Sequence, residues 1–221
     1  MRFFLLIFLF IITACTSAPL VDAPPQIYSI YATSATEGWL APVYECAAKT
    51  PGVLLSQTPD IASADMSLRI TASNNTDFFA YQIGEVELVV VINAANPVSA
   101  ISESQMTDIF EGKIRNWSEV GGKDEEIELW VYGQEDDLQV AFRATLLEGR
   151  PPSSLARQAS NEKMIRKAIN VEVNALGILP RSEISNNIRV LHSVGIYPVL
   201  IVIKTESQGL LPSLVACLQG E

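Results

Sequence analysis

The chain has 221 residues, 48% of them hydrophobic and 18% charged, with a net charge of −10. This composition is that of an ordinary globular protein, long enough for one large domain or two small lobes. A chain of this size buries roughly 70% of its unfolded surface, so folding requires neither metal nor disulfide. The acidic balance argues against nucleic acid, whose phosphates need a basic surface, and it attracts anions poorly at long range.

The first residues read as a targeting segment. Arg2 is the charged start and residues 3–12 are an apolar core. That core is too short for a membrane span, which needs about 20 residues. The segment closes on Ile12-Thr13-Ala14-Cys15, which resembles the bacterial lipobox. The resemblance implies a signal peptide over 1–14 and lipidation of Cys15, giving an extracytoplasmic protein anchored to the cell membrane. An ordinary signal peptide with an incidental Cys is the alternative. Residues 15–25, rich in Pro, Ser and Ala, read as a tether. Removing 1–14 takes Arg2 and leaves 14 basic against 25 acidic residues, a balance of −11.

Residues 26–31 read as a strand with Ile27, Ile30 and Tyr31 supplying bulk. Ser34 and Glu37 fit a capping box for the next helix, whose buried stripe is Trp39, Leu40, Val43, Tyr44 and Ala47. Val53-Leu54-Leu55 is the second strand, and 64–68 holds another. Residues 71–76 are polar and read as a loop, with an Asn74-Asn75-Thr76 sequon.

Residues 86–92 are apolar except for Glu87, as in a buried strand. Pro97 ends it. Ser102 with Gln105 forms a capping box, with Ile101 and Met106 as a hydrophobic staple. Met106, Ile109 and Phe110 make one apolar face, and Gly112 suits a left-handed stop. Residues 127–132 alternate as a strand with Ile127, Leu129 and Val131 inward. Asp136 or Asp137 then caps a helix packed by Leu138, Ala141, Phe142, Thr145 and Leu146 and closed by Gly149. After Pro151-Pro152, residues 153–159 read as a short helix. Ser160 caps another helix, with Met164, Ile165, Ala168 and Ile169 inward. Strands over 174–180, 188–192 and 196–203 and a helix over 210–218 complete the chain.

Cys46 follows Trp39 and Val43 at helical spacing, and Cys217 follows Leu210 and Leu214 in the same way. Both lie on inward faces in a compartment that permits disulfides, so a Cys46–Cys217 bridge is expected, with two buried free thiols as the alternative.

The string NPVSAISESQMTDIFEGKIRNWSEVGG, residues 96–122, resembles the phosphate-binding-protein branch of the periplasmic-binding-protein superfamily. There a strand leads to Asn-Pro, a helix ends Ile-Phe-x-Gly-Lys-Ile-x-x-Trp, and a short turn follows. Asn174-Ala175-Leu176-Gly177 and Tyr197-Pro198 resemble the family's return strand and last strand. The resemblance implies an α/β fold of type II, with mixed sheets flanked by helices, a shortened first lobe and a shortened C-terminus. Lobe 1 is expected over 26–85 plus 190–221 and lobe 2 over 86–189, with hinge crossings near 84–88 and 188–196. Gly177 suits a close backbone approach beside the cleft.

The resemblance also supplies a ligand set. Ser34, Ala35 and Thr36 match the first strand-to-helix turn, whose hydroxyls and N–H groups meet the ligand. Asp65 matches an Asp that accepts a hydrogen bond from a protonated anion. Asp137, Gln139 and Asn174 are expected from the second lobe. Phosphate binders carry an Arg and then Ser-Gly-Thr where this chain has Glu135, Asp136 and Asp137, and no basic residue lies between Lys123 and Arg143. Charge repulsion of about 1 kcal/mol per pair at contact in water offsets what the helix N-terminus offers an anion. The three carboxylates are either only a solvated, well-capped helix start or a cleft wall selecting a cationic or polyhydroxy ligand or a metal. Their spacing does not match a calcium loop.

No nucleophile elbow, zinc spacing or nucleotide loop is present, so neither enzyme activity nor a cofactor is expected. His192, the only histidine, reads as a strand surface residue. The expected function is an extracytoplasmic solute-binding lipoprotein, a monomer that captures a small ligand for an ABC-type membrane transporter with the usual phosphate site largely missing. The alternative is a surface interaction or sensory module that keeps the fold without the small ligand.

Overall fold

The computed structural model describes residues 25–70, 79–204 and 211–220. The expected signal peptide, Cys15, most of the tether, the 74–76 sequon and Leu210 lie outside these residues.

The fold is mixed α/β. One sheet of eight strands has the order β2-β1-β3-β8-β4-β7-β5-β6. β1 (Gln26–Ala32), β2 (Val53–Gln57) and β3 (Met66–Arg69) are parallel to one another. β5 (Glu128–Tyr132) lies parallel to β6 (Arg157–Ala159) and to β7 (Ala175–Pro180). Between these two groups run β4 (Phe79–Asn93) and β8 (Ile188–Ile203), antiparallel over nearly their whole lengths. Each is a single long strand where shorter segments were expected. Their apolar runs are buried on both faces at one end and open toward Gly84 and Gly195 at the middle.

Two hydrophobic cores flank this central ribbon. The smaller gathers Ile30, Val43, Met66, Leu68, Ile201 and Leu214 under α1 (Leu40–Lys49) and α5 (Leu211–Gln219). The larger packs 88–92 against α2 (Glu103–Phe110), α3 (Asp137–Leu146) and α4 (Glu162–Val171). Phe110 and Phe142 meet with ring centroids 4.5 Å apart and planes tilted by 55°, a favourable aromatic geometry. Trp39 and Ile83 border both cores. The Cys46–Cys217 disulfide joins α1 to α5 across 171 residues of sequence.

The start of α2 is as expected. The Ser102 hydroxyl accepts from the Gln105 N–H at 3.2 Å, and the Gln105 side chain returns to the Ser102 N–H at 3.1 Å. Gly112 takes φ +78°. Trp117 is buried and its indole N–H donates to the Asn174 carbonyl at 2.9 Å.

Several local expectations are corrected. The first turn is capped by Thr33 with Thr36, not Ser34 with Glu37, and opens a 3-10 helix, Ser34–Trp39, before α1 begins. Val43, Ala47 and Cys46 are buried as expected, but Tyr44 is 38% exposed. Residues 157–159 are strand β6 rather than helix, because Pro151-Pro152 holds the preceding backbone extended and β5 offers an open edge. Asn161, not Ser160, caps α4, and Met164 faces outward. Thr145 is also exposed on α3. Gly177 sits where a Cβ would come within 2.8 Å of Ile165, so it admits a helix to the sheet rather than a ligand to the cleft.

Candidate functional site

The carboxyl ends of β1, β3 and β5 converge where the two cores meet, the usual location for sites in α/β sheets. At the end of β1 the chain ties a small knot. The Thr36 hydroxyl donates to the Leu68 carbonyl at 2.9 Å and accepts from the Thr33 N–H at 3.1 Å. Thr36 is fully buried in this role. It therefore holds the turn to β3 rather than meeting a ligand. The knot leaves Ser34 and Ala35 at the cleft.

Arg69 and Ile70 stand at the end of β3, and Asp137 stands in the first turn of α3. The Arg69 guanidinium donates to both Asp137 oxygens, Nε to Oδ2 at 2.8 Å and Nη2 to Oδ1 at 2.5 Å. The Ile70 N–H adds a third donor to Oδ2 at 3.1 Å. Asp137 is 1% exposed and Arg69 26%. The hydrogen bonds to Asp137 raise Arg69 above its usual range. A planar fork plus a backbone N–H is a strong donor set for an oxyanion. Here the oxyanion is the protein's own, seated at the helix N-terminus where the resemblance puts phosphate.

Asp136 caps α3, accepting from the Leu138 N–H at 2.9 Å. Its other oxygen accepts from the Ser34 hydroxyl. Burial raises its pKa; the bonds from Ser34 and Leu138 restrain the rise, and the neighbouring Asp137 adds to it. The helix start is well capped, as in the first reading, but less solvated than that reading expects. Asp137 is buried and Asp136 half-buried, and both bind side chains from the far side of the cleft. Only Glu135 is exposed.

Behind this latch lies a second polar layer. Gln139 is fully buried; its oxygen accepts from the Tyr132 N–H at 3.0 Å, and its side-chain nitrogen has no partner. The Tyr132 hydroxyl and Glu162 Oε2 are likewise buried, with no hydrogen-bond partner among the described residues. Burial raises the Tyr132 pKa well above its ordinary value, and the charges of Asp136, Glu162 and Glu183 add to the rise. Glu162 is raised too, chiefly by burial; its own backbone N–H opposes the rise, and the charges of Glu183 and Glu37 add to it.

Two expected site residues are placed elsewhere. Asp65 immediately precedes β3, at the end opposite Arg69, and its Oδ2 accepts from the Ser29 N–H at 2.7 Å and hydroxyl at 2.6 Å. It binds β1 to β3. Asn174 precedes β7 at the end opposite Pro180, donating to the Glu126 carbonyl at 2.9 Å. The structure thus gathers Ser34, Ala35, Asp137 and Gln139, and adds Arg69, Tyr132, Asp136 and Glu162. Arg69 was missed because it is remote in sequence from α3. Its signal was a lone Arg at the carboxyl end of a parallel strand. Among the described residues no three His, Cys, Asp or Glu side chains are grouped to hold a metal ion. None of their helices is long and apolar enough to cross a membrane.

Residues 45–204 match a family model described as a PBP superfamily domain. The phosphate-binding protein PstS of Bacillus subtilis (strain 168) is 30% identical over 108 residues, 48% of this chain and 35% of that protein. The chain therefore spans about a third of the length of this curated relative. A putative phosphate ABC transporter substrate-binding protein from Clostridium perfringens, solved with bound phosphate, superposes with a TM-score of 0.75 at 17% identity, over 87% of this chain and 93% of the other. An ABC-type phosphate transport receptor from Vibrio cholerae gives 0.69 at 16% identity, with the same coverage. The regulatory domain of MetR from N. meningitidis gives 0.62 at 13% identity, over 88% and 94%. At these identities the likeness of the solved structures is one of fold.

Proposed function

The chain belongs to the periplasmic-binding-protein superfamily, and from that premise we propose that it is an extracytoplasmic solute-binding lipoprotein of the phosphate-binding-protein-like branch, serving an ABC-type transporter, with a cleft that takes a solute other than phosphate. In this reading Cys15 carries the lipid anchor, the mature chain is a monomer, and it works by binding without catalysis. Lobe 1 spans 26–85 plus 190–221, lobe 2 spans 86–189, and β4 and β8 serve as the hinge.

The observation that carries the reading is the Arg69–Asp137 pair. The donors suited to an oxyanion are already bonded to a carboxylate of the opposite lobe. A phosphate would have to displace Asp137 and then share the site with Asp136. The carboxylate is covalently tethered, so it competes at high effective concentration. The pair also bridges the lobes, which favours a closed state before any solute arrives.

Thermal unfolding of residues 16–221 with added solutes tests this reading. A ligand at 100 times its dissociation constant adds about 2.7 kcal/mol. Phosphate and sulfate are expected to leave the midpoint unchanged, while a non-anionic solute raises it. A rise with phosphate would overturn the reading.

A second reading, an interaction or sensory module without a small ligand, is favoured by one observation. Ile27 and Leu54, paired across β1 and β2, are 69% and 49% exposed near the sheet edge. Absence of a shift with every solute, together with capture of a membrane partner that Ile27→Ser abolishes, would establish that reading instead.

A further inference from the structure

Helix α3 of the second lobe is fastened to the first lobe at both of its ends. At its start the Arg69 fork and the Ile70 N–H hold Asp137, and the Ser34 hydroxyl holds Asp136. These donors come from the ends of two strands, β3 and β1, so one helical turn meets two strands of the opposite lobe. In its last turn the Thr145 hydroxyl lies 2.7 Å from the Tyr197 hydroxyl of β8. Thr145 is about 12 Å along the helix from Asp137, at 1.5 Å per residue. Apolar contacts cross as well. The Ile70 side chain is 2% exposed within the larger core, and Ala35 packs against that core.

Parting the lobes breaks these contacts. Ser34, Arg69, Ile70 and Tyr197 go with one lobe, and α3 goes with the other. The Asp137 carboxylate is 1% exposed, so salt screens the pair little. Two guanidinium bonds and a backbone N–H satisfy that carboxylate before any solute arrives. Where lobes close around a ligand, the ligand supplies the bridging contacts. Here the protein's own side chains supply them.

We propose that α3 is a latch that keeps the cleft shut in the ligand-free protein, and that solute enters only when its contacts to Ser34, Arg69, Ile70 and Tyr197 release as one unit. The inference rests on the two-lobed solute-binding reading and adds how that site is regulated. In such a latch, weakening one end of α3 loosens the other.

The Ile70 amide reports the latch, because its acceptor belongs to the opposite lobe. Its hydrogen exchange is measured by NMR in ligand-free residues 16–221, which keep every described contact. The amides of 88–92, buried in the central ribbon, measure global unfolding. In the wild type Ile70 is expected to exchange more slowly than an unstructured amide and faster than 88–92, since opening leaves the ribbon folded. Ser34→Ala leaves Ile70 and Asp137 in place and is expected to speed Ile70 exchange about tenfold, as for loss of a hydrogen bond to a charged group. Tyr197→Phe, at the far end of α3, is expected to speed it about fivefold, the figure for a neutral hydrogen bond. An Ile70 amide that exchanges at the unstructured rate, or no faster than 88–92, would overturn the proposal. So would an Ile70 rate unmoved by either variant. Should a variant not fold, the other variant and the wild-type comparison decide. Thermal shifts with added solutes test the solute-binding reading separately. Solute binding with an unprotected Ile70 amide overturns the latch alone, and a protected Ile70 amide with no solute bound overturns the solute reading alone.

Discussion

Asp137 takes up the donors that the proposed reading would otherwise leave to an anion. It is buried, faces an arginine fork and a backbone N–H, and begins a helix whose N-terminus favours negative charge. Breaking a buried pair by neutralising one member leaves the other uncompensated, so Asp137→Asn is expected to cost about 3 kcal/mol in urea unfolding. The double variant Arg69→Met/Asp137→Leu is expected to cost clearly less than the sum of the two single changes, because neither charge is stranded. The neighbouring carboxyls make a pH prediction. Burial raises Asp136 and Glu162, so the folded state holds their protons more tightly than the unfolded state. Their contribution is greatest below the ordinary values of 3.8 and 4.5 and is lost as pH rises through the raised values. Asp136→Asn and Glu162→Gln are therefore expected to lose less stability than wild type between mildly acid and neutral pH. Glu87 acts in the opposite sense. The Arg181 guanidinium and then the Ser193 hydroxyl lower it to about 2 from 4.5, so its contribution is present above 4.5 and lost as acid approaches 2. Carboxyl NMR titration is expected to return Glu87 toward 4.5 in Arg181→Ala.

Among elements, two connections carry the arrangement. The Cys46–Cys217 disulfide closes the small core by tying α1 to α5. Chain-entropy reasoning for so long a loop gives about 5 kcal/mol as an upper figure, with 2–4 kcal/mol typical. Cys46→Ala/Cys217→Ala is expected to lower the urea midpoint accordingly and to expose the small core first in hydrogen exchange. The second connection is the β4–β8 ribbon, whose register slips beside Gly84, where Trp39 lies against the backbone. Gly84→Ala forces the indole aside and is expected to cost about 1–3 kcal/mol. The elements themselves were largely legible. Periodic apolar positions placed α1 to α5 and most strands, and the Ser102–Gln105 cap marked α2 to the residue. Residues 153–159 misled because a three-residue strand has no periodicity of its own and depends on the edge of β5. The long β4 and β8 were split because irregular pairing interrupts their alternation.

In the whole molecule, the segment that made the family legible is scaffold. Asn96, Phe110 and Trp117 are buried, Asn96 donating to the Val173 carbonyl beyond α4, Phe110 meeting Phe142 of α3 and Trp117 donating to the Asn174 carbonyl just before β7. The site was less legible because it is assembled from strand ends distant in sequence. The loss of the basic loop before α3 was readable from 124–137. The source of the replacing cation was not, because Arg69 and Asp137 are 68 residues apart and meet only once both cores form. Reading the loop alone left its carboxylates without partners, and the fold supplies them. In the proposed function the protein's own carboxylate fills the anion site. The most direct test is phosphate titration followed by thermal unfolding, comparing wild type with Asp137→Ala. Millimolar phosphate is expected to leave the wild-type midpoint unmoved and to raise that of Asp137→Ala, where the Arg69 fork and the Ile70 N–H await an oxyanion. A wild-type midpoint that rises as far as the variant's would contradict the account.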